Sequence, residues 1–279
     1  MSLSGLFAIT RPANSAVAGI AAIVAYLIAT GTVIPSVLLL FFIVALITAA
    51  GNVINDYFDA EIDAINRPER PIPSGTITRI AARWFAVSLF CCGIFISVFT
   101  NTLCIGIALV NAILLVLYAA HLKSTPFFGN AIVSYLAASI FLFGGALAGL
   151  DGFVHMLPVA VITFLAMLAR ELLKDAEDVV GDQAGGAGTL PIRIGIQATV
   201  RIAVIFAVLA ALASIIPYLW WGIWYLYGIL AVDCVIVAST LLALRCTTPD
   251  CVKASGSTTL LKLGMFASLI VFLLSAVFL

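Results

Sequence analysis

Apolar runs of about 20 residues, the length an α-helix needs to cross a ~30 Å hydrocarbon core, recur along almost the whole chain. Inside lipid every backbone N–H and C=O must be bonded within the chain, so such runs are either helices or the strands of a closed barrel. Barrel strands read as weakly alternating segments of ~10 residues, whereas 36–50 and 202–216 are continuously apolar. Composition agrees: 64% of residues are hydrophobic and 9% charged, against roughly 25% charged in soluble domains. A water-soluble fold is excluded. The chain reads as an all-α integral membrane protein, a bundle of about nine transmembrane helices forming a single domain over 1–279. The expected spans are 14–32, 35–55, 81–99, 102–120, 130–150, 156–174, 197–216, 220–244 and 259–278.

All thirteen Lys and Arg residues fall on the N-terminal side of nine such crossings. Arg11 precedes the first span, Arg67, Arg70, Arg79 and Arg83 follow the second, and Lys123 follows the fourth. Arg170, Lys174, Arg193 and Arg201 surround the connection after the sixth, and Arg245, Lys253 and Lys262 the one after the eighth. The opposite connections, near 31–33, 100–101, 151–155 and 217–219, carry none. Cytoplasmic loops carry the basic excess, so the N-terminus is expected in the cytoplasm of a multi-pass cell-membrane protein. The first residues, MSLSGLFAITRP, lack a basic stretch leading into an apolar one with a small-residue cleavage site, so no removed leader is expected.

Charge gathers in two places. The first reads GNVINDYFDAEIDAINRPERPIPSG, in which Asn52, Asp56, Asp59 and Asp63 are separated by four, three and four residues, with Asn55 at the border. The second reads RELLKDAEDVVGD, in which Glu171, Asp175, Asp178 and Asp182 repeat the same separations. Side chains at that spacing lie above one another on one helical face. Each stripe is expected to continue its helix past the membrane surface, on the same side, where the two can face each other. A solvated loop has no reason to repeat a helical stripe. Carboxylates crowded this way repel unless cations join them, and hard oxygen ligands select Mg²⁺, Mn²⁺ or Ca²⁺. Mg²⁺ keeps coordination positions open for substrate phosphates, which suits a diphosphate.

These residues resemble the UbiA-type intramembrane prenyltransferases. The pattern N-x-x-x-D-x-x-D-x-x-x-D matches Asn52, Asp56, Asp59 and Asp63, D-x-x-x-D matches Asp178 and Asp182, and a Tyr followed five residues later by Lys matches Tyr118 and Lys123. Within that superfamily NRPERPIPSG, KDAEDVVGD and GTLPIRIG are most similar to the archaeal branch that builds lipid ethers. The resemblance implies Mg²⁺-dependent transfer of a geranylgeranyl group from its diphosphate to the sn-2 hydroxyl of geranylgeranylglyceryl phosphate. It implies metal ligation and catalysis by Asp56, Asp59, Asp63, Asp175, Asp178 and Asp182. Substrate contacts would come from Asn52, Asn55, Arg67, Arg70, Tyr118, Lys123, Lys174 and Arg193, with Arg70 or Arg193 taking the acceptor phosphate. The expected partners are a prenyl diphosphate donor, a lipid-phosphate acceptor and membrane lipids, with no nucleic acid.

An aromatic or tetrapyrrole acceptor is the enzymatic alternative, and a cation transporter the non-enzymatic one. Phe90, Tyr135, Phe141 and Phe143 are candidate walls for a prenyl tunnel, although ordinary helix packing accounts for any one of them. His121 and His155 are isolated, with His155 expected in an outer loop, and Asp233 lies inside the eighth span with no evident partner. Cys91, Cys92, Cys104, Cys234, Cys246 and Cys251 show no C-x-x-C spacing and are expected to pack as small apolar residues. Pro68, Pro71, Pro73 and Gly75 predict a structured cap after the first stripe.

Overall fold

A computed structural model of the chain describes residues 2–279, the Asn66 side chain excepted. Among the described residues the elements are helical, and nine helices are long and apolar enough to cross a membrane. In chain order the helices are α1 (Leu3–Ile9), α2 (Pro12–Thr30), α3 (Val37–Phe58), α4 (Ala60–Asn66), α5 (Arg79–Ser97) and α6 (Thr102–Leu117). A π-helical turn, Tyr118–Leu122, extends α6. Then come α7 (Phe128–Leu147), α8 (Leu150–Ala184), α9 (Leu190–Ile194), α10 (Ile196–Ala213), α11 (Tyr218–Leu242), α12 (Pro249–Ser255) and α13 (Ser257–Phe278). Polar residues in the connections start them: Thr78 Oγ1 accepts from the Ala81 amide at 3.2 Å and Asn101 Oδ1 from the Cys104 amide at 3.0 Å, filling donors that a helix N-terminus leaves bare.

Eight spans agree with the expected ones to within a few residues. The sixth does not. Helix α8 runs for 35 residues, about 52 Å at 1.5 Å per residue. Residues 151–155, expected as an outer loop, are therefore helical, and His155 packs edge-on against Trp220 with ring centroids 4.9 Å apart. Pro158 lies within the helix without ending it; the chain turns only at Gly185 and Gly186.

The chain forms two compact units. The first comprises Met1–Tyr26, Thr32–Leu122 and Phe143–Val154. In it α3 packs against α5, with Leu40, Ile43, Ala50, Val53, Ala82 and Ala86 buried and Gly93 admitting the Ile47 side chain. Gly144 of α7 lies so close to α2 that an added Cβ would stand 2.6 Å from the Tyr26 amide nitrogen. Lipid gives helices no hydrophobic reason to associate, so this kind of small-residue contact supplies the packing. Phe90 and Phe143 are buried within this unit.

The second unit comprises Leu27–Gly31, Lys123–Leu142 and His155–Leu279. Leu168, Leu172 and Leu173 of α8, Ala203 and Ala207 of α10, Ile236 of α11 and Leu261 of α13 form its core. Gly222 breaks α11 at φ 67° and ψ −160°, backbone space essentially reserved for glycine. Asp233 acquires its partner here: Ser214 Oγ donates to it at 2.5 Å, and the Ser214 carbonyl accepts from the Tyr225 hydroxyl at 2.6 Å. Cys246 and Cys251 form a disulfide after α11, so two of the six cysteines do not behave as simple apolar residues. Their spacing matches no familiar pairing motif, and the sequence offered no signal for it.

Candidate active site

The first acidic stripe sits in the first unit and bends. Asp59 ends α3 and starts α4 with ψ near 0°, so the stripe spans two helices instead of one straight extension. The i to i−4 hydrogen bonds nevertheless continue, from the Asp59 amide to the Asn55 carbonyl at 2.9 Å and from the Asp63 amide to the Asp59 carbonyl at 2.8 Å. Asp56 and Asp63 therefore remain on a common face. The expected cap follows: the Ile77 amide and Thr76 Oγ1 both donate to the Pro71 carbonyl, and Gly75 turns the chain at φ 74°.

Burial dictates how these carboxylates are held. Asp56 and Asp63 are 4% and 6% exposed, and a buried carboxylate must find compensating donors. Arg70 Nη1 lies 2.5 Å from Asp63 Oδ2 and 3.3 Å from Asp56 Oδ1. Arg11 Nη2 reaches the same Asp56 Oδ1 at 2.6 Å. Asn55 Nδ2 donates to Asp59 Oδ2 at 2.8 Å. Asn52 turns toward the N-terminal segment, donating to the Thr10 carbonyl at 3.1 Å and approaching Ser15 Oγ at 3.5 Å. Arg67 is exposed at the end of α4. Tyr118 opens the π-helical turn that ends α6.

The second stripe lies on the last turns of α8, in the second unit. Asn130 Nδ2 donates to Asp175 Oδ2 at 2.9 Å and Thr189 Oγ1 to Asp182 Oδ2 at 3.0 Å, so neutral donors hold these two aspartates. Glu171, the first member by spacing, is instead paired with Arg170 at 2.5 Å. Asp178 and Lys174 are exposed. Glu177 leaves the stripe and accepts from Thr258 Oγ1 at 2.8 Å. The Arg193 guanidinium lies against Gly188, where an added Cβ would sit 3.4 Å from Nη2. Lys123 follows the π-helical turn and opens the second of this unit's three segments.

Among the described residues, no three His, Cys, Asp or Glu side chains stand as a ready metal cage. The donor sets nonetheless fit a hard divalent cation. Mg²⁺ is usually held through one or two carboxylates and completes its octahedron with water and substrate phosphate. Asp56 with Asp63, and Asp175 with Asp178 and Asp182, are all-oxygen sets of that kind, and Asp178 faces solvent.

Arg11, Asn130 and Thr189 were not singled out among the candidate residues. Arg11 and Asn130 each stand 45 positions from the aspartate they bind, beyond any helical period. Only Thr189, in the GTLP that opens α9, had a local signature, that of a helix N-cap.

A family described as "UbiA prenyltransferase family" matches residues 18–277. The chain is similar to the digeranylgeranylglyceryl phosphate synthase of Methanoregula boonei, at 68% identity over 279 residues and 100% of each chain. A solved structure of a digeranylgeranylglyceryl phosphate synthase superposes with a TM-score of 0.89 at 36% identity, covering 99% of both chains. A UbiA homolog from Archaeoglobus fulgidus bound to GPP and Mg²⁺ shares the fold at a TM-score of 0.61 and 16% identity, covering 95% of this chain and 99% of that one.

Proposed function

We propose, from the premise that this chain belongs to the UbiA prenyltransferase family, that it transfers a geranylgeranyl group from geranylgeranyl diphosphate to the sn-2 hydroxyl of geranylgeranylglyceryl phosphate. The chain is a multi-span membrane prenyltransferase of archaeal lipid biosynthesis. The observation that carries the substrate assignment is 68% identity over the whole of both chains to a protein named for this product. A family of transferases leaves no role for the cation-transporter alternative.

A divalent cation, Mg²⁺ by the chemistry of the donors, supplies neutralisation of the charge that develops on the departing diphosphate. Metal ligation is assigned to Asp56, Asp59 and Asp63 within the first cluster and to Asp175, Asp178 and Asp182 within the second. Asn55 orients Asp59, Asn130 orients Asp175 and Thr189 orients Asp182 through the hydrogen bonds described. Arg67, Arg70, Lys123 and Lys174 are assigned to the diphosphate oxygens, to which Arg offers a planar fork and Lys a point charge. Arg193 is assigned to the acceptor phosphate. The C1–O bond to diphosphate breaks with its electron pair leaving on the diphosphate, and the sn-2 oxygen bonds to C1 and loses its proton to water, completing the ether. The single-sided distribution of basic residues supports a cytoplasmic N-terminus and cytoplasmic acidic clusters in the cell membrane.

The test is release of diphosphate by purified protein given geranylgeranyl diphosphate and Mg²⁺. Release is expected only when geranylgeranylglyceryl phosphate is added. Turnover with a phenolic acceptor and none with the glyceryl phosphate would overturn the assignment.

A further inference from the structure

The first cluster holds two of its carboxylates, Asp56 and Asp63, with cations the protein already owns. Asp56 Oδ1 accepts from two guanidiniums at once, Arg11 Nη2 at 2.6 Å and Arg70 Nη1 at 3.3 Å, while Arg70 also binds Asp63 at 2.5 Å. Two carboxylates and two guanidiniums cancel. A divalent cation arriving alone meets carboxylate oxygens that are already neutralised, beside two positive charges that repel it. Release of Arg70, whose side chain is 17% exposed, is also unfavourable unless another anion receives it. A diphosphate is such an anion, and its oxygens match the guanidinium fork.

The two arginines differ in freedom. The Arg70 side chain is 17% exposed and spans both aspartates; the Arg11 side chain is 38% exposed and touches Asp56 through one nitrogen. The Arg11 backbone is anchored, however. It sits at φ 49°, just before Pro12, a conformation a non-glycine residue keeps only when its surroundings hold it there. Its amide donates to the Ala8 carbonyl at 3.1 Å, its carbonyl accepts from the Ser15 amide at 3.1 Å, and the preceding Thr10 carbonyl accepts from Asn52 at 3.1 Å. A fixed backbone carrying a half-exposed, long side chain can move its charge by rotation of the side chain alone.

We infer that Arg11 is an exchange residue: it pairs with Asp56 and passes to the incoming prenyl diphosphate, so that the first cluster accepts metal only together with diphosphate. This rests on reading the first cluster as metal-binding. The consequence is an order of events, in which metal at this cluster signals that donor is present.

The two ligands are measured separately on the detergent-solubilised full chain, with Mn²⁺ alone read by electron paramagnetic resonance and inorganic pyrophosphate alone in the presence of a chelator. In Arg11→Gln, Mn²⁺ affinity is expected to rise about tenfold and pyrophosphate affinity to fall about tenfold, a coupling of ordinary size. The Mn²⁺ site gained is expected to vanish in Arg11→Gln combined with Asp56→Asn. Arg11→Lys, which keeps the charge and loses the fork, is expected to retain weak Mn²⁺ binding and recover part of the pyrophosphate affinity. A structural role alone lowers both affinities together, and that result, or no change in either, overturns the inference. Persistence of the gained site in the double variant overturns it as well. If Asp56→Asn and Asp59→Asn bind Mn²⁺ with pyrophosphate as well as the unmodified chain does, the metal-binding reading itself fails and takes the exchange with it.

Discussion

Asn130→Ala tests whether Asp175 works as a positioned metal ligand. Asn130 is 8% exposed, and its Nδ2 lies 2.9 Å from Asp175 Oδ2. Truncation leaves the α7 backbone intact, since the Ser134 hydroxyl bonds to the Asn130 carbonyl and not to its side chain. What is lost is one hydrogen bond to a charged group, worth about 1.5–3 kcal/mol. At about 1.4 kcal/mol per decade this corresponds to a ten- to hundredfold weaker hold on the cation, the range typical of groups that orient metal ligands. The assay is the Mg²⁺ dependence of diphosphate release at saturating donor and acceptor, with the melting temperature followed in parallel. The half-saturating Mg²⁺ concentration is expected to rise by at least tenfold while activity at high Mg²⁺ largely recovers. An unchanged Mg²⁺ requirement would refute the positioning role, and so would a loss that high Mg²⁺ does not relieve in a protein that melts normally.

Asp59→Ala and Asp178→Ala are each expected to abolish Mg²⁺-dependent turnover in protein that still purifies as a folded membrane protein; near-normal rates in both would refute the assignment of the two stripes. Gly144→Val is expected to destabilise the fold by about 1–3 kcal/mol, because its new atoms meet Ala25 and Tyr26 backbone that has nowhere to move, and detergent melting curves measure this. Arg79→Ala is expected to change activity by no more than about twofold, since its partner Glu61 is 86% exposed and surface ion pairs of this kind contribute little. Thiol titration of the denatured, unreduced chain is expected to count the four free cysteines, rising to six after reduction.

What was legible beforehand was whatever a helix repeats. Nine apolar runs and two stripes at four, three and four residues are local periodicities, and they located the spans and the aspartates. Illegible were contacts that tertiary packing alone brings about. Arg11 looked like one basic residue among thirteen until α1 and α2 set it against Asp56, and Asn130 carried no mark of its hydrogen bond to Asp175. The bend at Asp59 escaped because the same spacing suits a straight helix and a kinked one. The outer loop at 151–155 escaped because Asp and Gly near a helix start read as a turn, whereas the backbone wraps into α8 after Gly149.

The length of α8 ties chemistry to the medium. One continuous rod of about 52 Å both crosses the hydrocarbon and carries Asp175, Asp178 and Asp182 at its end, exceeding a ~30 Å core by roughly 20 Å. A rod that fits a thinner or thicker bilayer by tilting raises or lowers its end relative to the lipid surface. Asp175, Asp178 and Asp182, fixed to that rod, share whatever displacement the bilayer imposes on its end.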